Sequence, residues 1–147
     1  MQPSIKNDLV YLLRILESIG KIRVYTADFT DAIDFFRANN QQNFNASLML
    51  LINIGEQSTR VSDELKSKYS TINWLQIRGF RNRIAHDYIG IDRFITFDII
   101  QHELPILKAE IENVIRTEIL SKTFDKEEYE LAKQSEFYIN IDYDSIV

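Results

Sequence analysis

Several residue types on which many enzymes depend are scarce in this chain of 147 residues. It has no cysteine, which excludes disulfides and thiolate metal sites and fits the reducing cytoplasm. Only four glycines and two prolines are present, too few for the many turns of an all-β fold. No apolar stretch reaches the roughly 18 residues that a membrane span needs, and the chain does not open with a signal peptide pattern. We therefore expect a soluble, cytoplasmic, mainly helical protein.

Acidic and basic residues are distributed unevenly. The net charge is −5, and residues 121–147 contribute −4 through three lysines and seven acidic residues. Residues 65–86, in contrast, contain no acidic residue and five basic ones, which are Lys66, Lys68, Arg78, Arg81 and Arg83. This basic window is a modest electrostatic signal for a phosphate-bearing partner such as RNA. An ordinary basic helix surface would give the same count, so charge alone does not decide.

Apolar residues recur at helical spacing through most of the chain. We predict four long helices and one short helical piece, over about residues 5–25, 42–67, 74–84, 94–119 and 30–38. Gly55 and Ser58 lie in the apolar stripe of the second long helix, where small residues permit another helix to approach. Pro105 is predicted to kink the last helix or to mark its true first turn. The sequence thus indicates an all-α fold, a four-helix antiparallel bundle with short loops.

Residues 121–147 do not continue this pattern. We divide the chain into a helical bundle, residues 1–120, and an acidic C-terminal extension, residues 121–147. Within the extension we predict a polar helix over 125–136 and a short strand over 137–144, where apolar and polar residues alternate. Its apolar side chains favour docking on this chain, on a second copy or on a partner protein. A disordered tail is the alternative.

Two histidines are the candidates for acid–base chemistry near neutral pH, because imidazole titrates in that range. His102 lies beside Glu103 at the start of the last helix, and we expect it at the surface. His86 closes the basic window and follows three arginines, which makes it the stronger candidate. No Gly-rich phosphate loop and no His-x-x-x-His or Cys cluster for a metal accompanies it.

The surroundings of His86 suggest phosphate chemistry. Helical spacing would place Arg78, Asn82 and His86 on one ridge. Arg81 would lie about 140° around the helix from His86, within reach of its long side chain if the helix ends nearby. The alternative is that His86 merely ends the helix and that Arg81 pairs with an acidic neighbour, Glu56 or Asp87.

The segment from Arg81 to Tyr88 resembles the signature of a known family. Arg81-Asn82-x-x-x-His86-x-Tyr88 matches the R-N-x-x-x-H-x-Y pattern of HepT-like toxins, a branch of the HEPN ribonucleases. Further landmarks occur in the family's order: Ile54-Gly55-Glu56-Gln57 for I-G-E-A, Trp74-x-x-Ile77-x-Gly79 for W-x-x-I-x-G, and Glu103-Leu-Pro-Ile-Leu107 for D-L-P-x-L. The resemblance covers about residues 5–118. One departure is Ser70-Thr-Ile-Asn73, where the family has P-D-I-P.

The resemblance implies a HEPN-type bundle that is the toxin of a type II toxin–antitoxin system. The resemblance further implies a metal-independent endoribonuclease that needs no cofactor, of a kind that often cuts tRNA. It also implies a homodimer in which two motif copies face one cleft. Arg81 and His86 would be catalytic, and Asn82 and Arg78 would bind substrate. The alternative is a non-catalytic HEPN domain that binds nucleotides or scaffolds a nucleotidyltransferase.

Tyr88 has a separate role in the family that this chain resembles. There, a minimal nucleotidyltransferase antitoxin adenylylates the equivalent tyrosine, so Tyr88 is expected to be the site of AMPylation. Added phosphate and bulk beside the cleft would oppose RNA binding. The alternative is that Tyr88 packs its ring on the bundle and hydrogen-bonds through its hydroxyl.

Overall fold

In a computed structural model of the chain, residues 4–86 and 90–147 are described, with His86 described through its backbone alone. This part is mainly helical, as predicted. Its α-helices are α1 (Leu9–Thr26), α2 (Ala32–Arg37), α3 (Gln42–Arg60), α4 (Asp63–Lys68), α5 (Trp74–Arg78), α6 (Phe80–Ile84), α7 (Arg93–Asp98), α8 (Leu104–Leu120) and α9 (Lys126–Lys133). A π-turn (Ile99–Glu103) joins α7 to α8. Two short strands, β1 (Ala85–His86) and β2 (Gly90–Ile91), pair antiparallel.

The centre of the bundle is the antiparallel pair α1 and α3. Polar contacts between the two helices run in opposite chain directions, joining Arg14 to Gln57, Ser18 to Asn53 and the Tyr25 carbonyl to Asn43. Leu12, Ile15, Ile19 and Ile22 are buried along the inner face of α1. Each such side chain contributes roughly 1.5–3 kcal/mol of hydrophobic stabilisation. The expected all-α bundle is confirmed.

The small residues of α3 admit a neighbouring helix, as the sequence suggested. A Cβ atom on Gly55 would lie 3.1 Å from the carbonyl oxygen of Ile77, at the end of α5. Ser58 is buried, and its hydroxyl donates to the Gly55 carbonyl at 2.6 Å. The close approach therefore takes place within one chain, and it gives no argument for a second copy.

The predicted helix over 42–67 is in fact two helices. It ends at Arg60, and Ser62 begins α4 by accepting a hydrogen bond from the Leu65 N–H at 3.2 Å. Asp8, buried at the start of α1, accepts from both the backbone N–H and the hydroxyl of Ser62, at 2.9 and 2.5 Å. Burial of that carboxyl raises the pKa of Asp8, while the two hydrogen bonds oppose the rise. The hydrogen bonds of Asp8 with Ser62 thus connect the start of α1 to the start of α4 at this break.

The last long helix follows the sequence prediction for Pro105. The proline lies in the first turn of α8, where its missing N–H costs least, and the π-turn precedes it. Among the described residues, no helix is both long and apolar enough to cross a membrane.

The C-terminal extension docks on its own chain. Phe124 and Tyr129 are buried in the core, and Arg116 of α8 donates to the carbonyls of Ser145 and Ile146 at 2.6 and 2.8 Å. The polar helix is confirmed as α9. The strand predicted over 137–144 is wrong: 3₁₀ turns occupy Glu136–Tyr138 and Tyr143–Ser145. Phe137 remains 81% exposed, so its alternation with polar neighbours does not mark a buried face.

Candidate functional site

The motif begins on two short helices that share one buried face. Asn73 starts α5 by accepting from the Gln76 N–H at 3.0 Å, and Gly79 separates α5 from α6. Ile77, Phe80 and Ile84 are buried between these helices and the rest of the bundle. Both helices pack against α3.

The opposite face of α5 and α6 carries the predicted phosphate-binding side chains. Arg78, Arg81 and Asn82 are all exposed. Among the described residues, Glu56 forms no ion pair with Arg81, while Glu118 and Glu103 pair with Lys68 and Arg83 instead. Asp87, the other acid considered for Arg81, lies outside the described residues. Arg81 is thus exposed at the surface of α6.

His86 does not continue the helical ridge, and that prediction is wrong. Helix α6 ends at Ile84, and the backbone turns extended, with Ala85 opposite Ile91 and His86 opposite Gly90. The N–H of Asp92 also donates to the Ile84 carbonyl at 2.7 Å. Because strand pairing replaces the helical turn, spacing of four residues no longer places Asn82 and His86 on one line. The imidazole of His86 and the whole of Tyr88 lie outside what the structure describes.

Two of the five charges in the basic window are neutralised. Lys68 lies 2.8 Å from the buried Glu118. Arg83 forms a two-point ion pair with Glu103 at 2.7 and 2.5 Å. The exposed positive surface is thus smaller than the sequence count suggested: Arg78 and Arg81 are exposed, while Lys66 is half-buried.

Lys66 lies between charges of both signs. Burial is the main cause that lowers the pKa of Lys66; Asp63 opposes the change, Arg78 adds to it, and Asp8 opposes it. Lys66 is therefore balanced by acidic neighbours as well as repelled by Arg78.

The buried Glu118 shows that Lys68 has a structural role. Burial raises the pKa of this carboxyl, but hydrogen bonds from Lys68 and Tyr69 outweigh that effect and hold the pKa below its ordinary value. Burial, together with the contact with Glu118, raises the pKa of Tyr69 to about 12. This network ties α4 to the end of α8.

Other features of the described residues lie apart from the motif. His102 is exposed and lies 3.6 Å from Asp98, as expected for a surface histidine. A cleft of about 880 Å³ lies between the C-terminal half of α1 and the start of α8, and none of the predicted site residues lines it. The described part of the chain brings no three His, Cys, Asp or Glu side chains together as a metal site.

Sequence reasoning missed the Arg83–Glu103 pair. The two residues are twenty positions apart and follow no helical spacing. Arg83 was counted instead among the free charges of the window. No local pattern could have revealed the pair, because the π-turn that precedes α8 has no sequence signal beyond Pro105.

Comparison with known proteins places the chain among ribonucleases. The family described as "Ribonuclease HepT-like" matches residues 15–114. A "Putative RNase" of Methanocaldococcus jannaschii is 32% identical over 110 residues, covering 74% of this chain and 98% of the relative. A "Probable ribonuclease HepT" of Thermococcus cleftensis is 26% identical over 104 residues, covering 71% of this chain and 92% of the relative. No solved structure matches the chain.

Proposed function

This chain belongs to the HepT-like ribonuclease family, and from that premise we propose that it is a metal-independent endoribonuclease. The observation that carries the proposal is the placement of Arg81. It is exposed on a helix whose other face is buried, and it lies five residues before His86, where the backbone is extended. An exposed arginine in this position is available to bind a dianionic, phosphate-like transition state. Such a side chain contributes little to the stability of the fold.

The reaction follows from the chemistry of the side chains. His86 takes the proton from a ribose 2′-hydroxyl, whose oxygen then attacks the adjacent phosphorus. Arg81 stabilises the added negative charge on the non-bridging oxygens through its planar pair of donors. The bond to the 5′-oxygen breaks, and that oxygen receives a proton from the imidazolium of His86 in the second copy. The products are a 2′,3′-cyclic phosphate and a 5′-hydroxyl, while Asn82 and Arg78 bind the flanking backbone.

Arg81→Ala is the variant that tests this assignment. We expect kcat/KM on total tRNA to fall about 10²- to 10³-fold, the usual loss when one donor to a developing oxyanion is removed. Arg37→Ala, which removes an equally exposed arginine from α2, is the matched control and should cleave as the wild type does. Full activity in Arg81→Ala would reject the role of Arg81.

A homodimer is part of the proposal. Two copies of the exposed arginine surface facing one cleft would double the positive charge that RNA meets. We expect light scattering at micromolar concentration to give twice the chain mass. A monomer would remove the shared cleft from the mechanism and leave cleavage to a single chain.

We further propose that the protein is the toxin of a toxin–antitoxin pair and that a minimal nucleotidyltransferase silences it. The acceptor would be Tyr88, two residues after His86. An AMP phosphodiester is negatively charged at neutral pH and would compete with RNA phosphate for Arg81 and Arg78. Its bulk acts in the same direction. Cleavage of essential RNA in the cytoplasm would then depend on the unmodified tyrosine.

Tyr88→Phe separates modification from catalysis. This variant retains the ring and loses only the acceptor oxygen, so we expect it to cut RNA yet to resist inactivation by the cognate nucleotidyltransferase with ATP and Mg²⁺. Tyr25→Phe is the control and should be silenced like the wild type. Mass spectrometry that finds AMP on another of the seven tyrosines would refute the assignment.

A further inference from the structure

The Arg83–Glu103 pair joins the motif helix to the start of α8. Two guanidinium nitrogens of Arg83 donate to the two carboxylate oxygens of Glu103, at 2.7 and 2.5 Å. Both side chains are partly buried, with 33% and 24% of their surfaces exposed. Two parallel charge-assisted hydrogen bonds fix the relative orientation of the groups they connect, as a single contact cannot.

The π-turn sets the position of Glu103. Pro105 cannot donate to the carbonyl of Gln101, and its ring would clash with that carbonyl in a continuous α-helix. The chain widens to a π-turn over Ile99–Glu103 instead. One additional residue in a turn changes the angular position of the residues after it by about 100°. Glu103 thereby faces α6, at the junction where α7 gives way to α8.

Arg83 and Arg81 lie on different sides of α6. They are two residues apart, or about 200° around an α-helix. Arg83 accordingly points to Glu103 and is partly buried, while Arg81 is exposed. Helix α6 has only five residues, and its buried side chains Phe80 and Ile84 pack on one face. The Arg83–Glu103 pair adds a directional contact on another side of the helix, where it can fix the rotation of α6 about its axis.

We propose that Arg83 is a positioning residue of the ribonuclease site, which acts by locking the rotation of α6 through Glu103 so that Arg81 and Asn82 face the RNA. This inference rests on the proposed function. Arg83 then binds the carboxylate of Glu103 and does not bind RNA phosphate, although Arg83 lies in the same basic window as Arg81.

Paired variants distinguish positioning from phosphate binding. We expect Arg83→Met and Glu103→Gln each to lower kcat on total tRNA about 10- to 100-fold, the loss expected for a misplacement of about 1 Å. KM should stay within about twofold, and its dependence on salt should not change. The double variant should resemble either single one, because both remove the same contact. Lys133→Met, which removes an exposed ion pair on α9, is the control and should leave kcat unchanged.

A phosphate-binding role would give the opposite pattern. Arg83→Met would then raise KM and reduce the salt slope by about one, and Glu103→Gln would lower KM by freeing the guanidinium. That result would overturn the proposal.

Hydrogen exchange supplies a measurement that does not depend on cleavage. The amides of Arg83 and Ala85 donate to the carbonyls of Gly79 and Arg81. We expect these two amides to exchange at least tenfold faster in Glu103→Gln than in the wild type, with the amides of α1 unaffected. Unchanged protection of Arg83 and Ala85 would overturn the positioning role even in an active enzyme. If exchange is faster in Glu103→Gln but the wild type does not cut tRNA, the proposed function is rejected. The structural role of the Arg83–Glu103 pair would still hold.

Discussion

His86→Ala should lose RNA cleavage almost completely. General acid–base catalysis contributes about 10²- to 10⁴-fold, and a histidine that serves both proton transfers would give a loss at the upper end of that range. We expect the loss to appear in kcat on total tRNA, with KM little changed, because the phosphate contacts are assigned to Arg81, Arg78 and Asn82. Thermal unfolding should be unaffected, since the backbone of β1 carries the local hydrogen bonds.

The chain supplies its own control for this experiment. His102, the second of its two histidines, is exposed and pairs only loosely with Asp98 on the neighbouring turn. His102→Ala should therefore cleave tRNA at the wild-type rate. Equal activity of the two variants would exclude His86 as the proton-transfer group.

Gly20→Ala should destabilise the protein, although alanine is the better helix former. At an exposed position within a helix, the change from glycine to alanine stabilises by about 1 kcal/mol. At Gly20, however, a Cβ atom would lie 2.1 Å from the carbonyl oxygen of Asn140 and 2.7 Å from its Cβ. The extension must move away from α1, and overpacking of this kind costs about 1–3 kcal/mol. Urea unfolding measures the sign directly.

The same contact identifies where the damage should appear. Asn140 donates from its backbone and its side chain to the two carboxylate oxygens of Glu17, both at 2.8 Å, one turn from Gly20. We expect limited proteolysis to cut residues 136–147 faster in Gly20→Ala, with the bundle still intact. Increased stability in this variant would show that the extension does not dock on α1 as described.

The sequence was sufficient for the helical bundle and insufficient for its junctions. Apolar periodicity located α1 well because it buries a single continuous face. It merged α5 with α6, and it merged α7, the π-turn and α8 into one helix over 94–119. It also merged α3 with α4, since the apolar stripe continues past Ser62, where the cap of α4 and the contact with Asp8 mark the break. It assigned a strand to residues 137–144, where long-range bonds to Glu17 and Arg116 stabilise tight turns instead.

The candidate site shows the same division. The identity of Arg81, Asn82 and His86 came from the motif, and the structure shows the first two exposed. Their geometry could not come from helical spacing, because β1 and β2 replace the last helical turn before His86. Nor could the charge count separate Arg81 from Arg83. That distinction depends on Glu103, which a π-turn brings from a distant part of the chain.

The most direct test of the account is the chemical nature of the RNA ends. Purified protein would be incubated with total tRNA in EDTA, and the products would be analysed by mass spectrometry. Attack by the 2′-hydroxyl predicts fragments that carry a 2′,3′-cyclic phosphate at one new end and a 5′-hydroxyl at the other. Cleavage that requires added divalent metal, or that leaves a 5′-phosphate and a free 3′-hydroxyl, would contradict the mechanism assigned to Arg81 and His86.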